Sequence, residues 1–313
     1  MAFSPDRPGG KLIVCAGMAV IDQIYRVSAF PVPGTKNRAD AFQTVLGGCA
    51  ANAALAIHRL GGRARVVAPL GGPAGEDLTG DAVLARLERE AIDSSHVVRL
   101  DGARTSQSTI LVESGGERII VSYRDPALEK ARPRDAARIV ADADAVLVDN
   151  RFPEFALPVA DAAAALGRIV VLDGDRPAGR DDVLLARATH AVFSADGLRG
   201  TAGIDDLPDA LRAVADSTGA FVAVTNGAQD MLWLEEGRLQ RLPAFRIDAV
   251  DTLAAGDVFH GAFALALAEG ADAASAMHFA AAVAALKCTR VGGGEGAPHR
   301  TDVREFILNQ SEK

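Results

Sequence analysis

Cysteine is scarce: Cys15, Cys49 and Cys288 are odd in number, widely spaced and form no CxxC pair. That excludes a disulfide framework and argues against a zinc site. It leaves three small buried thiols in a reducing cytoplasm as the expectation. The six histidines show no HExxH or similar spacing, so a structural metal is not expected either. No stretch approaches ~20 uninterrupted apolar residues, which excludes a helical membrane span. Long basic runs are missing and the formal net charge is −8, so neither nucleic acid nor an anionic membrane is an electrostatic partner. A small anionic substrate stays open, because a pocket needs only a few local cations. The signatures GxxxxGK[ST], H-R-D, G-x-S-x-G and G-x-G-x-x-G are also absent. The opening "MAFSPDRPGG" has two prolines and no apolar core; it reads as a disordered tail over 1–10 and not as a signal peptide.

Apolar residues make up 49% of the 313 positions and charged residues 24%, enough for a sizeable core in a soluble α/β chain of one or two domains. "KLIVCAGMAVID" reads as a buried parallel strand, with Asp22 closing it, and "AANAALAIHRLGG" as an alanine-rich helix stopped by glycines. "ARVVAPLGG" is the next expected strand. Strand and helix alternate again through "ADAVLVDN", "FALPVADAAAALG", "RIVVLDGD", "THAVFS", a helix near 206–218, "FVAVTNG" and two long C-terminal helices. Such alternation implies right-handed βαβ units and a mostly parallel sheet covered on both faces. Several strands end in polar residues, namely Asp149 with Asn150, Asp173 with Asp175, Ser194, and Thr225 with Asn226. These predict a polar crevice beyond the carboxyl ends of the sheet. Two segments break the alternation. Residues 104–124 read as a hairpin about Ser-Gly-Gly and 22–46 as extended, together a small antiparallel sheet that covers a ligand or meets a second subunit.

The stretch "DTLAAGDVFHG" at 251–261 carries the chemistry. Ala254, Ala255 and Gly256 keep side chains away from a backbone that starts a helix, and free amides with a positive dipole end suit an anion. Asp257 in that turn has an ordinary reading as a helix cap. An acid aimed into an anion site, however, repels the anion unless it has work there. Accepting a proton from a hydroxyl that attacks a phosphoryl group is such work. "LGGCAANAALAIHRLGG" places Gly47 and Gly48, which let a ligand approach the backbone, ahead of Asn52. An asparagine inside a helix either faces solvent or serves a polar partner.

"GMAVID", "GGCAAN", "VTNG" and "DTLAAGD", in this order and spacing, resemble the PfkB/ribokinase family of sugar kinases, over residues 11–308 or so. The resemblance implies a ribokinase-like three-layer α/β/α domain over 11–313, a small β-sheet lid that pairs in a homodimer, ATP with Mg²⁺, and phosphorylation of a sugar hydroxyl. By position, Asp257 matches the catalytic base, and the backbone of Ala254, Ala255 and Gly256 the anion hole. Asp22, Gly47, Gly48 and Asn52 match sugar-binding positions. Ser194, Thr225 and Gly227 match the nucleotide side, with Asp251 and Thr252 beside the phosphates. The family's Asn-x-x-Glu is replaced by Ser194 and Gly197, so no metal ligand is assigned; Asp173, Asp175 and Asp196 are the carboxylates near enough in sequence to stand in.

Further strings, "SQSTILVESGGERIIVSY", "VVLDGDRP", "FSADGL", "AGDVFHGA" and "AALKCTR", resemble bacterial kinases of 6-deoxy-6-sulfofructose, which phosphorylate its 1-hydroxyl. That resemblance implies sulfonate binding by Lys36 and Arg151, with Ser122 where those enzymes carry asparagine. Alternatives within the family are another ketose, a phosphosugar or a nucleoside, although the lid offers only Tyr25, Phe30, Phe42 and Tyr123 for stacking on a base. A sugar-binding protein without catalysis is the alternative from another class.

Overall fold

The computed structural model describes residues 10–115, 117–179 and 182–311. Of the expected tail only Gly10 is among them; the rest of it, like Gly116 of the expected hairpin turn, lies outside the described residues. In chain order the elements are β1 (Leu12–Ala16), β2 (Val20–Val27), β3 (Ala41–Gly47), α1 (Cys49–Arg59), β4 (Arg63–Val67), β5 (Pro69–Gly72), α2 (Leu78–Arg89), β6 (Val98–Asp101), β7 (Gln107–Glu113) and β8 (Arg118–Tyr123). They continue with α3 (Ala136–Val140), β9 (Ala145–Asp149), α4 (Pro153–Ala165), β10 (Ile169–Gly174), β11 (His190–Ser194), α5 (Ala195–Ala202), α6 (Leu207–Thr218) and β12 (Phe221–Thr225). Last come β13 (Met231–Glu235), β14 (Arg238–Leu242), α7 (Ala255–Ala268), α8 (Ala273–Cys288) and α9 (Arg300–Ser311).

Among the described residues, eight strands make the central sheet in the order β14-β13-β12-β11-β10-β9-β1-β4. The strands from β4 to β12 run parallel, and β13 and β14 are added antiparallel at one edge. Alternation along each strand serves two cores. In β1, Ile13 and Cys15 join the core under α1, α2, α7, α8 and α9, while Val14 and Ala16 join the core under α3 to α6. The result is the expected three layers. α7 is apolar all round, and its residues Val258 to Leu267 are all buried, as befits a helix with no solvent face.

A second sheet, β3-β2-β7-β8, stands apart from the first and is built from the expected segments, 22–46 and 104–124, but it is mixed and not antiparallel throughout, because β2 runs parallel to β7. The reading of "KLIVCAGMAVID" as one strand is corrected. The Asp149 carboxylate accepts the Met18 amide at 2.7 Å, turns the chain there and sends β2 into the second sheet. Asp22 therefore lies within β2 and does not close β1. "ARVVAPLGG" likewise divides, since β5 pairs with β6 in a sheet of its own. α2, α9 and the β13–β14 pair had no counterpart in the sequence reading.

Strand register puts the polar ends side by side. Asp149 is level with Asp173, and Ser194 with Thr225, so the crevice at this edge is real. All three cysteines are free and buried.

One buried cation ties the far helix to this edge. Lys287 on α8 is fully buried, and its Nζ donates to the Asp251 carbonyl at 2.9 Å, with the Asp251 carboxylate at 3.6 Å. Burial pulls the ammonium below its usual value and Asp251 opposes that pull. Lys287→Met, which leaves the Asp251 carbonyl without its donor, is expected to lower the unfolding free energy by about 1–3 kcal/mol in a urea titration.

Candidate active site

The turn before α7 is built to leave its amides open. Asp251 accepts the amides of Leu253 and Gly292, each at 2.9 Å, and so orders the loop from both sides. Ala254 takes the N-cap position in a left-handed conformation, φ 61° and ψ 13°, which an L-residue adopts at a cost of ~1–2 kcal/mol. Helices α2, α5, α6 and α8 each have an Asp or Ser that caps a first-turn amide. Ala254 has no such side chain, so the amides of Gly256 and Asp257 keep their donors free beside the positive end of the helix dipole. A Cβ on Gly256 would meet nothing within 4 Å beyond its own turn. The chain itself does not press on this glycine; the space in front of it is what its small size preserves.

Asn52 resolves its two readings. It is buried, and its Nδ2 donates to the Asp257 carboxylate at 2.7 Å, which fixes the acid across the gap between α1 and α7. The paired glycines have distinct reasons. A Cβ on Gly47 would lie 2.1 Å from the Asp22 carboxylate, and Gly48 has φ 93°, which glycine alone adopts readily. Asp22 faces this gap from the second sheet. Burial pushes its carboxyl up to about 6, the Ser108 hydroxyl works against that, and Asp257 adds to it. Ser108 sits opposite Asp22 across β2–β7 and opposite Ser122 across β7–β8, with the two hydroxyls 3.1 Å apart. Ser122 thus extends a polar row that begins at Asp22.

The second sheet touches the turn directly. Arg118 on β8 donates to the Thr252 hydroxyl, and Leu253 packs on the sheet's own cluster of Ile24, Val45 and Ile110. Arg118 escaped sequence reasoning, because one arginine in a hairpin carries no signal of a contact 134 residues away.

On the other side, Arg151 follows β9. Its amide is held by Asp149 at 3.0 Å, and its guanidinium pairs with Asp175. Arg151, Arg124 and Arg176 line a cleft of about 410 Å³ with Asn150 and Phe152. Burial pushes Asp149 up to about 6, against the pull of its two amide partners. Lys36 is not brought to this group: it lies in the exposed 28–40 segment, with no hydrogen bond or ion pair among the described residues.

The nucleotide-side residues sit at the ends of β11 and β12. The Ser194 hydroxyl caps α5 by accepting the Gly197 amide at 3.0 Å and faces the Asp175 carbonyl at 3.2 Å. A Cβ on Gly197 would lie 2.0 Å from the Gly174 carbonyl, so a glutamate has no room there. The Thr225 hydroxyl donates to the Phe193 carbonyl at 3.3 Å, and Gly227 turns with φ 59°. Of the carboxylates weighed as replacements for the missing glutamate, Asp173 faces His260, Asp175 pairs with Arg151, and the exposed Asp196 sits near Arg199.

Comparison with known proteins agrees with this geometry. Residues 11–300 match the pfkB family carbohydrate kinase. A ribokinase of Haemophilus influenzae is 27% identical over 306 residues, covering 95% of this chain and 98% of the relative. A crystal structure from Agrobacterium tumefaciens, of a protein named as a candidate ribokinase, is 38% identical with TM-score 0.92, covering 97% of this chain and all of the other. The crystal structure of a Xylella fastidiosa fructokinase with bound ATP is 27% identical with TM-score 0.77, covering 96% and 99%. With the three-layer fold, the separate small sheet and the uncapped turn beside Asp257, the chain belongs to the pfkB family of carbohydrate kinases, phosphotransferases whose acceptor is an alcohol group.

Proposed function

We propose that this kinase transfers the γ-phosphoryl group of ATP to the 1-hydroxyl of an anionic ketose, 6-deoxy-6-sulfofructose. The observation that carries the transfer is the free first turn of α7 beside Asp257, whose carboxylate is fixed by Asn52 at 2.7 Å. Asp257 takes the proton of the acceptor hydroxyl as that oxygen bonds to the γ-phosphorus, and the bond from phosphorus to the departing ADP oxygen breaks. The open amides of Gly256 and Asp257 face the charge that builds on the transferred group. Asp22, Gly47 and Gly48 hold the sugar with Asn52, and Thr225, Gly227 and Ser194 flank the nucleotide with Asp251 and Thr252. Asp173 faces His260, Asp175 pairs with Arg151 and Asp196 lies near Arg199, and no resident metal is assigned to them. Mg²⁺ enters as the counterion of ATP's own phosphates.

The anionic end of the sugar is assigned to Arg151, which shares its cleft with Arg124 and Arg176 and with the acids Glu129, Glu154 and Asp182. A guanidinium grips a sulfonate or a phosphate with paired hydrogen bonds. Lys36 is assigned to join it when the 28–40 segment covers the sugar, and Ser122 is assigned to the sugar through its place in the row that starts at Asp22. The small sheet acts as a lid that keeps water from the γ-phosphate. Its outer strand β8 exposes Ile119, Ile120, Val121 and Tyr123, an apolar edge that we assign to a second copy of the chain.

Asp257→Asn is expected to lower turnover by several orders of magnitude while sugar binding, followed calorimetrically, stays within a few-fold; near-normal turnover would remove the base. In a panel of 6-deoxy-6-sulfofructose, fructose 6-phosphate, fructose and ribose with MgATP, the sulfonate sugar is expected to give the highest kcat/KM. Arg151→Ala is expected to erase that preference, and preference for a neutral sugar would overturn the anion assignment. Val121→Lys is expected to convert a dimer to a monomer in sedimentation, and a monomeric parent protein would refute the shared lid.

A further inference from the structure

We propose that His260 is a positioning residue of the phosphoryl-transfer turn: as an imidazolium held by Asp173, it donates to the Gly256 carbonyl and so polarises the Asp257 amide. The protonation state follows from the surroundings of the ring alone. What the amide binds rests on the kinase reading above.

His260 lies one helical turn after Gly256 and is buried. Its Nδ1 is 2.7 Å from the Gly256 carbonyl oxygen, and its Nε2 is 3.0 Å from the Val192 carbonyl oxygen of β11. A neutral imidazole has one N–H and one lone pair. In either tautomer a lone pair would face a carbonyl oxygen at a separation too short to admit a water between them. Both contacts are satisfied only when both nitrogens carry protons.

A buried cation needs a partner. Asp173, buried on β10, supplies it with a carboxylate oxygen 3.4 Å from Nδ1. Its other oxygen has no hydrogen-bond partner, and a carboxylate oxygen of Asp173, one of Asp257 and the Cys49 sulfur all lie within 4.8 Å of one another. The charged groups facing the ring are therefore Asp173 from β10 and Asp257 from its own helix, with Asp149 and Asp175 behind Asp173. β11 contributes the Val192 carbonyl only, and the Cys49 thiol of α1 is pushed up by burial and stays neutral. Burial opposes charge on His260, yet Asp173 and the two carbonyls hold it above its ordinary value. Burial raises Asp173 as well, so the pair competes for one proton, and the two carbonyls decide for the ring.

The chemical consequence lies in one peptide unit. The Gly256 carbonyl and the Asp257 N–H belong to the same amide. A charge-assisted hydrogen bond at the oxygen draws electron density through the unit and makes the N–H a stronger donor. That N–H is in the uncapped first turn of α7, where the transferred group is placed. Because the ring's value is raised on folding, its support is complete below the ordinary histidine value and fades as pH rises through the raised one.

The test is long-range ¹H–¹⁵N NMR of the histidine side chains at pH about 8, more than a unit above the usual histidine value. His260→Asn identifies the signal. The expected result is two protonated ring nitrogens that vanish in His260→Asn and turn into a neutral pattern in Asp173→Asn. A lone-pair nitrogen in the wild-type ring would overturn the proposal. In turnover, His260→Leu is expected to lose about 10-fold or more in kcat, short of the ~10²–10³ for deleting an anion-hole donor, with KM values little changed. His260→Asn, whose amide can still donate to Gly256, is expected to recover part of it. A leucine variant with unchanged kcat would overturn the functional half. Should the leucine variant not fold, the NMR result on wild-type protein still decides. Absence of turnover with every sugar would sink the kinase reading and leave the ring's protonation to be judged by NMR.

Discussion

A helix whose first turn has no side-chain cap forgoes about 1 kcal/mol, and α7 does so while α8, packed against it, is capped by Asp272. The open amides are usable only if the turn around them is rigid. Rigidity comes from a set of contacts that no single element supplies. Asp251 takes two loop amides and the fully buried Lys287. Leu253 is sunk in the small sheet's apolar cluster, and Asn52 clamps Asp257. A left-handed Ala254 persists because these contacts over-determine it.

The second constraint is charge. Asp22, Asp149, Asp173 and Asp257 converge at the strand ends, and burial raises the first three. So many acids beside an anion site would repel a triphosphate, were they not divided by role. Asp149 is spent on the amides of Met18 and Arg151, and Asp173 on His260. Asp257 alone combines a hydrogen bond from Asn52 with a place on the open turn. One fold thereby keeps a proton acceptor and an oxyanion site within the same helical turn.

The sequence carried the layered α/β fold because its strands are Val/Ile-rich and its helices alanine-rich, so the change of period was visible. It did not carry the break between β1 and β2, since the cause is Asp149, more than a hundred residues away. α2 and α9 carry helical spacing too, at Val83, Leu84 and Leu87 and at Val303, Phe306 and Ile307, but charged residues between them dilute it. At the site, the bare "DTLAAGD" turn and the buried Asn52 were legible from local chemistry. His260 was not, although "DVFHG" sets it one turn from Gly256. Its meaning depends on Val192 and Asp173, which reach it only through the register of the sheet. The smallness of Gly256 serves no packing need within the chain, in keeping with a backbone left open.

The account's central claim is that the α7 turn receives the transferred phosphoryl group while Asp257 receives the proton. The most direct measurement is a crystal structure with ADP, aluminium fluoride and the acceptor sugar. The expected complex has fluoride ligands on the amides of Gly256 and Asp257, with the acceptor hydroxyl within hydrogen-bond distance of the Asp257 carboxylate. A fluoride complex seated away from that turn, or a hydroxyl held by a different acid, would contradict it.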